Sequence, residues 1–381
     1  MNTEYIGQNI RRLMKINGLS IAKLAENMDV GTATISNILN AKSEPKSSTL
    51  LKFSDALGVN LNDLLSEPPH LDRLRFRTQK TLSAREKAER EQMLMSTAQW
   101  LDGYKELEDM LGDRIEYAFA DVKSKKPELL ALEARNLLGL EDNTKPVCDI
   151  GEKIENAGIK LGICNFKFKK TFGLSISSMD KGPAIIINSE PSITMERQIF
   201  TVIHELGHLL LHSNSYDDIE KVVDKQEEHE ADVFAGHFLL PDDALKKEWN
   251  ASLGSYWIDA VLKIKRIYGV SYKTVLVRLS QINSKFVLSN LLQSFYKEYE
   301  QKYGHNLKNH FEPNALEDPV AEEDPYSLNS YELMEARYMK LVRTAYEREL
   351  ISMSRAGELL HKSISEMREL VKSWRSISLH V

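Results

Sequence analysis

Residues 204–212 read HELGHLLLH. If the segment is helical, His204 and His208 lie one turn apart on the same face, so both imidazoles can reach one metal ion. Glu205 stands one position round, close enough to touch a metal-bound water without being a ligand itself. Zn2+ held by three protein groups keeps a fourth position for water, whose pKa falls to about 7, and a carboxylate beside it can take the proton. That is the chemistry of peptide hydrolysis. With 10 His in 381 residues, a His-Glu-x-x-His pattern arises by chance at roughly 0.03 per chain. The motif alone is therefore suggestive and needs a third ligand, because a stripe flanked by Leu209, Leu210 and Leu211 fits a buried helix with satisfied histidines as well.

A second segment offers that ligand. Five of the ten His (204, 208, 212, 229 and 237) fall in one stretch that also contains EEHEADVFAGHFLLP, residues 227–241. The spacing of Ala231, Phe234, Ala235, Phe238 and Leu239 is helical and stops at Pro241. Glu228 and Asp232 are i, i+4 on this helix, so one can ligate while the other accepts the free ring N–H of a liganding His. Glu227 and Glu230 compete as ligands, but Glu230 has no carboxylate four residues on. His212 extends the histidine stripe to i+8. A helix drifts about 40° per four-residue step, so His212 points away from a metal centred on the first two and reads as a structural or substrate-facing residue.

RQIFTVIHELGHLLLH (197–212) followed by EHEADVFAGHFLLP (228–241) resembles the ImmA/IrrE family of zinc metallopeptidases. The resemblance implies a gluzincin-like zinc site in which His204, His208 and Glu228 bind Zn2+, Glu205 is the general base and Asp232 supports a ligand from behind. It extends over roughly residues 129–285, where ELLALEARNLLGL and residues 148–157 read as helices and KLGICNFKF, FGLSISS and PAIIIN as strands. A sheet edge beside the metal would pair with an extended substrate through main-chain hydrogen bonds.

The first 65 residues carry five short amphipathic segments, with Ser20 and Ser47 where N-caps belong and Gly18 and Gly58 where helices stop. The run from Leu19 to Leu65 is similar to the XRE-type, lambda-repressor-like helix-turn-helix. By that resemblance the second helix covers 21–28 and the recognition helix about 32–40, so that Thr32, Thr34, Ser36 and Asn37 face the DNA major groove. Ile21 and Thr32 replace the Gln and the Arg or Gln common at those places, which removes bidentate base readout. Seven Lys and Arg against six acids through residue 66 give little phosphate attraction per copy, and a homodimer, or loss of sequence specificity, is expected.

EPPHLDRLRFRTQK (67–80) is a proline-started basic linker. SARE at 83–86 is a capping box opening a helix rich in i, i+4 charge pairs, read as a solvated spacer. Residues 257–282 close the peptidase core. PNALEDPVAEEDP (313–325) marks an exposed acidic connection, and helical periodicity returns after it. ISMSRAGELLHKSISEMREL resembles a small helix-turn-helix-like unit, and equally fits a helical cap, a sensor or a substrate-docking surface.

The composition, 42% hydrophobic and 28% charged with net charge −6, is that of an ordinary soluble protein. No apolar run approaches a membrane span, and MNTEYIGQNIRR lacks the apolar core of a signal peptide, so a cytoplasmic protein without a membrane partner is expected. Cys148 and Cys164 cannot scaffold a fold and read as small core residues. A thiolate closing the open zinc position is the sharper alternative.

These readings make a multidomain, mainly α protein: a five-helix DNA-binding domain over 1–67, a linker and helical spacer over 68–128, an α+β zinc peptidase over 129–285 and a helical carboxy-terminal domain over 286–381. The function implied by resemblance is an intracellular zinc endopeptidase that cleaves a repressor or antitoxin to derepress stress, defence or mobile-element genes, tethered to DNA. The alternatives are a non-enzymatic regulator that uses the zinc fold as a sensor, and an antitoxin.

Overall fold

The structure, a computed structural model, describes residues 2–59, 61–65, 67, 74–76, 84–166, 171–178, 181–216, 224–283, 285–304, 306–307, 312, 328, 333–334 and 336–377. Ser83 of the expected capping box, most of the basic linker and the acidic connection 313–325 lie outside the described residues.

The chain divides into two units, residues 1–71 with 79–102, and residues 72–78 with 103–381. In the first, α1 (Thr3–Ile16), α2 (Ile21–Met28), α3 (Thr32–Leu39), α4 (Ser47–Leu57) and α5 (Leu61–Leu65) follow in order. Each buries one stripe: Ile6, Ile10 and Leu13 of α1 meet Leu24, Ile35, Phe53 and Leu64 in a single core. Ser20 caps α2 by accepting from the Lys23 N–H at 3.2 Å. Ser47 does not cap α4; Lys46 occupies that position without a side-chain bond, and Ser47 is the first helical residue. Gly58 ends α4 at φ +67°, a conformation that costs a side-chain-bearing residue energy.

In the second unit the strand β1 (Leu74–Phe76) precedes the long helix α6 (Ala84–Leu111), whose residues through Asp102 belong to the first unit. The expected solvated spacer is a packed helix instead. Met93, Leu94, Ala98, Leu101, Tyr104 and Leu107 are buried along it, a stripe at helical spacing that its abundant charges obscure. Both cysteines are exposed, against the expectation of core residues.

Next come α7 (Pro127–Leu137), α8 (Ile150–Asn156), β2 (Lys160–Cys164), β3 (Gly173–Ile176), β4 (Ala184–Asn188), α9 (Met195–Leu211), a 3-10 turn (Ser213–Tyr216) and α10 (Lys225–Leu239). The sheet order is β1-β3-β4-β2, with β2 parallel to β4, and β3 antiparallel to both β4 and β1. Every residue of β3 and β4 is buried, and α9 lies against these two strands. The helices α11 (Asp242–Ala251), α12 (Trp257–Tyr268), α13 (Tyr272–Ile282) and α14 (Leu288–Tyr303) complete the core. Phe295 and Tyr299 of α14 are fully buried in it, Phe295 stacked on Tyr272 at 5.1 Å. This helix, expected in the carboxy-terminal domain, thus packs with the α+β core. Residues 337–377 form α15 (Arg337–Glu347), α16 (Met353–Leu359) and α17 (Ile364–Ile377). No helix among the described residues is long and apolar enough to cross a membrane.

Candidate metal centre

Helix α9 begins at Thr194, whose hydroxyl accepts from the Arg197 N–H, and it is buried almost all round from Thr201 to Leu210. Such a helix lies between two layers, here the sheet and α10. The crossing with α10 is tight at Gly207. A Cβ placed there would stand 3.0 Å from the Phe234 ring and 3.4 Å from the Ala231 Cα. Small residues at the contact let the two backbones approach and set the side chains of one helix against those of the other. The far end of α10 is fixed by two buried guanidinium groups: Arg135 donates to the Phe238 carbonyl at 2.8 Å and Arg278 to the Leu240 carbonyl at 3.1 Å. Cations at the last carbonyls of a helix complement its dipole.

This packing brings three candidate ligands to one point. The Nε2 atoms of His204 and His208 are 3.0 Å apart, and the two carboxylate oxygens of Glu228 lie 3.6 Å from the first and 3.3 Å from the second. All three residues are buried. Bond lengths of 2.0–2.2 Å to a tetrahedral zinc place neighbouring ligand atoms about 3.3 Å apart, so the spacing fits such an ion. Among the described residues this is the group that could hold a metal ion, and neither cysteine is part of it. The competing acids are occupied elsewhere: Glu227 accepts from Ser215 at 2.5 Å, and Glu230 faces His212 and Gln226.

The hydrogen-bond network orients both imidazoles. Nδ1–H of His204 donates to Asp232 at 2.8 Å, which leaves its Nε2 with a lone pair toward the cluster. For His208 the same result comes through a relay. His212 Nε2–H donates to Glu230 at 3.0 Å, so His212 Nδ1 is an acceptor, and His208 Nδ1 donates to it at 2.9 Å. The Nε2 of His208 then also presents a lone pair. Two lone pairs and a carboxylate facing one another repel unless a cation lies between them. Without a metal a proton on the imidazoles supplies that charge: burial disfavours the charged forms of His204 and Glu228, but with Asp232 and Glu228 as partners His204 is raised, and His204 and His208 hold Glu228 well below the usual carboxylate range.

Glu205 is buried next to the first ligand. Ser175 Oγ, in the middle of β3, donates to its Oε2 at 2.6 Å, and Tyr216 OH donates to Ser175 Oγ at 2.9 Å. Sequence reasoning missed both residues. Nothing but alternation along a strand marked Ser175, and Tyr216 sits in a short turn whose contact spans 41 residues. The two remaining histidines nearby, His212 and His237, are each engaged by other side chains. His212 is held from both nitrogens, and His237 faces Arg278 at 2.7 Å; burial and that guanidinium lower His237 to about 4. His229 is exposed.

In the first unit, Ile35, Ile38 and Leu39 bury one face of α3, while Thr32, Thr34 and Asn37 are exposed and Ser36 is half-buried. The four predicted DNA contacts thus avoid the core face. Asn40, at the end of the helix, is held by Arg11.

Residues 154–280 match the family model of the IrrE N-terminal-like domain, a peptidase family, and residues 10–64 match that of a helix-turn-helix. The pair agrees with the fusion that the two motif sets resemble. No curated protein matches the chain. A DNA-binding regulator with a metallopeptidase-type domain is the coarse description that these matches support.

Proposed function

We propose that the chain is a zinc-dependent endopeptidase coupled to a DNA-binding module. The observation that carries the reading is the convergence of His204, His208 and Glu228 at tetrahedral ligand spacing with a buried Glu205 beside them. Bound zinc would polarise the scissile carbonyl, acidify a water and neutralise the charge that develops on the carbonyl oxygen. Glu205 then takes the proton from the attacking water and returns it to the leaving amine nitrogen. Ser175, backed by Tyr216, holds one oxygen of that carboxylate, so the base does not have to be oriented during the reaction. Asp232 and the His212–Glu230 relay keep both ligand lone pairs turned inward.

The substrate class that best suits this pairing is a transcriptional repressor or an antitoxin, cut so that stress, defence or mobile-element genes are derepressed. A helix-turn-helix on the same chain would hold protease and repressor at one operator and raise their effective concentration. Thr32, Thr34, Ser36 and Asn37 are the proposed groove contacts, and a homodimer would supply the second half-site. The test is incubation of the zinc-loaded chain with the repressors encoded beside it. A single cut by the wild type and none by Glu205→Gln is expected; no cut, or equal cutting by both, refutes the reading.

A further inference from the structure

We propose that Leu74–Phe76 is a resident occupant of the outer edge of β3, seated where an extended polypeptide would pair, and that a substrate must displace it. One edge of β3 is bonded to β4; the other is taken by β1, antiparallel, with Arg75 opposite Ser175. Ser175 is the residue whose hydroxyl holds Glu205. A strand on this edge therefore runs past the proposed general base, and beside the turn that carries Tyr216. That the edge serves substrate rests on the zinc-peptidase reading; that it binds a strand does not.

The occupant is foreign to the sheet in sequence. β2, β3 and β4 come from residues 160–188, whereas β1 comes from the segment that follows the helix-turn-helix, before the residues matched by the peptidase family. Three residues cannot form a stable strand alone, so β1 exists because β3 offers an unpaired ladder. The segment RLRFR (73–77) alternates basic and apolar residues, the period of a strand. Tethering places this occupant at an effective concentration near millimolar. A site open only a tenth of the time binds a competitor about tenfold more weakly, and released substrate-binding capacity is the matching gain.

The probe is a fluorescein-labelled peptide of residues 70–79, HLDRLRFRTQ, with the same peptide bearing proline at positions 74, 75 and 76 as control. It is titrated against the full chain carrying Glu205→Gln, alone and combined with Arg75→Pro or with Leu74→Pro/Phe76→Pro. Antiparallel ladder bonds alternate, so one of these two changes removes the N–H groups that face β3. A third chain, with residues 71–78 replaced by glycine and serine, leaves nothing to compete. We expect about tenfold tighter binding of the probe to the glycine–serine chain and to one proline variant than to the parent, and none of the control peptide. Equal affinity for all chains overturns the proposal whether or not the protein is a peptidase. If binding tightens while the same replacements with Glu205 intact cut no repressor, the docking site stands and the peptidase reading falls.

Discussion

His212 binds no metal in this account, yet it decides what His208 offers to one. Both nitrogens of His212 are engaged, between His208 and Glu230, and the proton order along that relay turns the His208 lone pair inward. Replacing His212 by Ala frees His208 to place its proton on Nε2, where it opposes ligation. Zinc affinity, read by competition with a chromophoric chelator, is expected to fall about 10- to 100-fold in His212→Ala. His212→Asn, whose side-chain oxygen can accept from Nδ1–H, should recover part of it. Unchanged affinity in His212→Ala would remove the relay from the account. At this scale the ligands were legible because their spacing is local: two His at i, i+4 and a Glu and Asp at i, i+4. Ser175 was not legible, since its role depends on a strand meeting a helix 30 residues away.

The element that carries the site is the crossing of α9 over α10, where Gly207 packs closely against Phe234 and Ala231. Two effects oppose each other on substitution. A β-carbon inside a helix gains up to about 1 kcal/mol over glycine, while overpacking a buried contact costs about 1–3 kcal/mol. Valine adds two further methyl groups toward Phe234, so overpacking wins. Gly207→Val is expected to lower the melting temperature and to weaken zinc binding about tenfold by displacing Glu228; a variant as stable and as zinc-avid as wild type would contradict the packing argument.

A second element is pinned by a buried charge cluster. Lys265 of α12 meets Glu196 of α9 at 2.6 Å and Glu312 at 3.8 Å. Burial raises Glu312 to about 7, with Lys265 acting against the rise. The folded state therefore binds a proton that the unfolded chain, with a carboxyl near 4.5, has released between those two pH values. Stability from this group is present at pH 5 and is lost as pH rises through 7, by on the order of 3 kcal/mol. Glu312→Gln should match the wild type near pH 5 and melt several degrees higher at pH 8; thermal scans at the two pH values check this. Element existence was largely legible, as the helices over 3–57, 127–137, 195–211 and 225–239 show, whereas α11 and α14 were not singled out. The strand β1 was not, because three residues of a basic linker become a strand only when a sheet edge accepts them. The packed face of α6 was hidden for another reason: its charges outnumber the apolar residues that do the packing.

At the scale of the whole molecule, charge separates the helix-turn-helix module from the rest of the chain. The chain carries −6 overall, and its DNA-binding module is close to balanced, so few phosphates are neutralised per copy. The salt dependence of DNA binding should be shallow, with a log–log slope no steeper than about −3 per bound chain. Glu205→Gln should leave it unaltered. A much steeper slope would mean that basic residues outside the module touch DNA.

The central claim is a single metal ion held jointly by α9 and α10, and its most direct measurement is zinc stoichiometry. Apo protein titrated with Zn2+ in a calorimeter, with elemental analysis of the dialysed product, should bind one equivalent per chain in the wild type and lose tight binding in Glu228→Ala. A wild type that retains no metal, or a Glu228→Ala chain that still binds one equivalent with wild-type affinity, would contradict it.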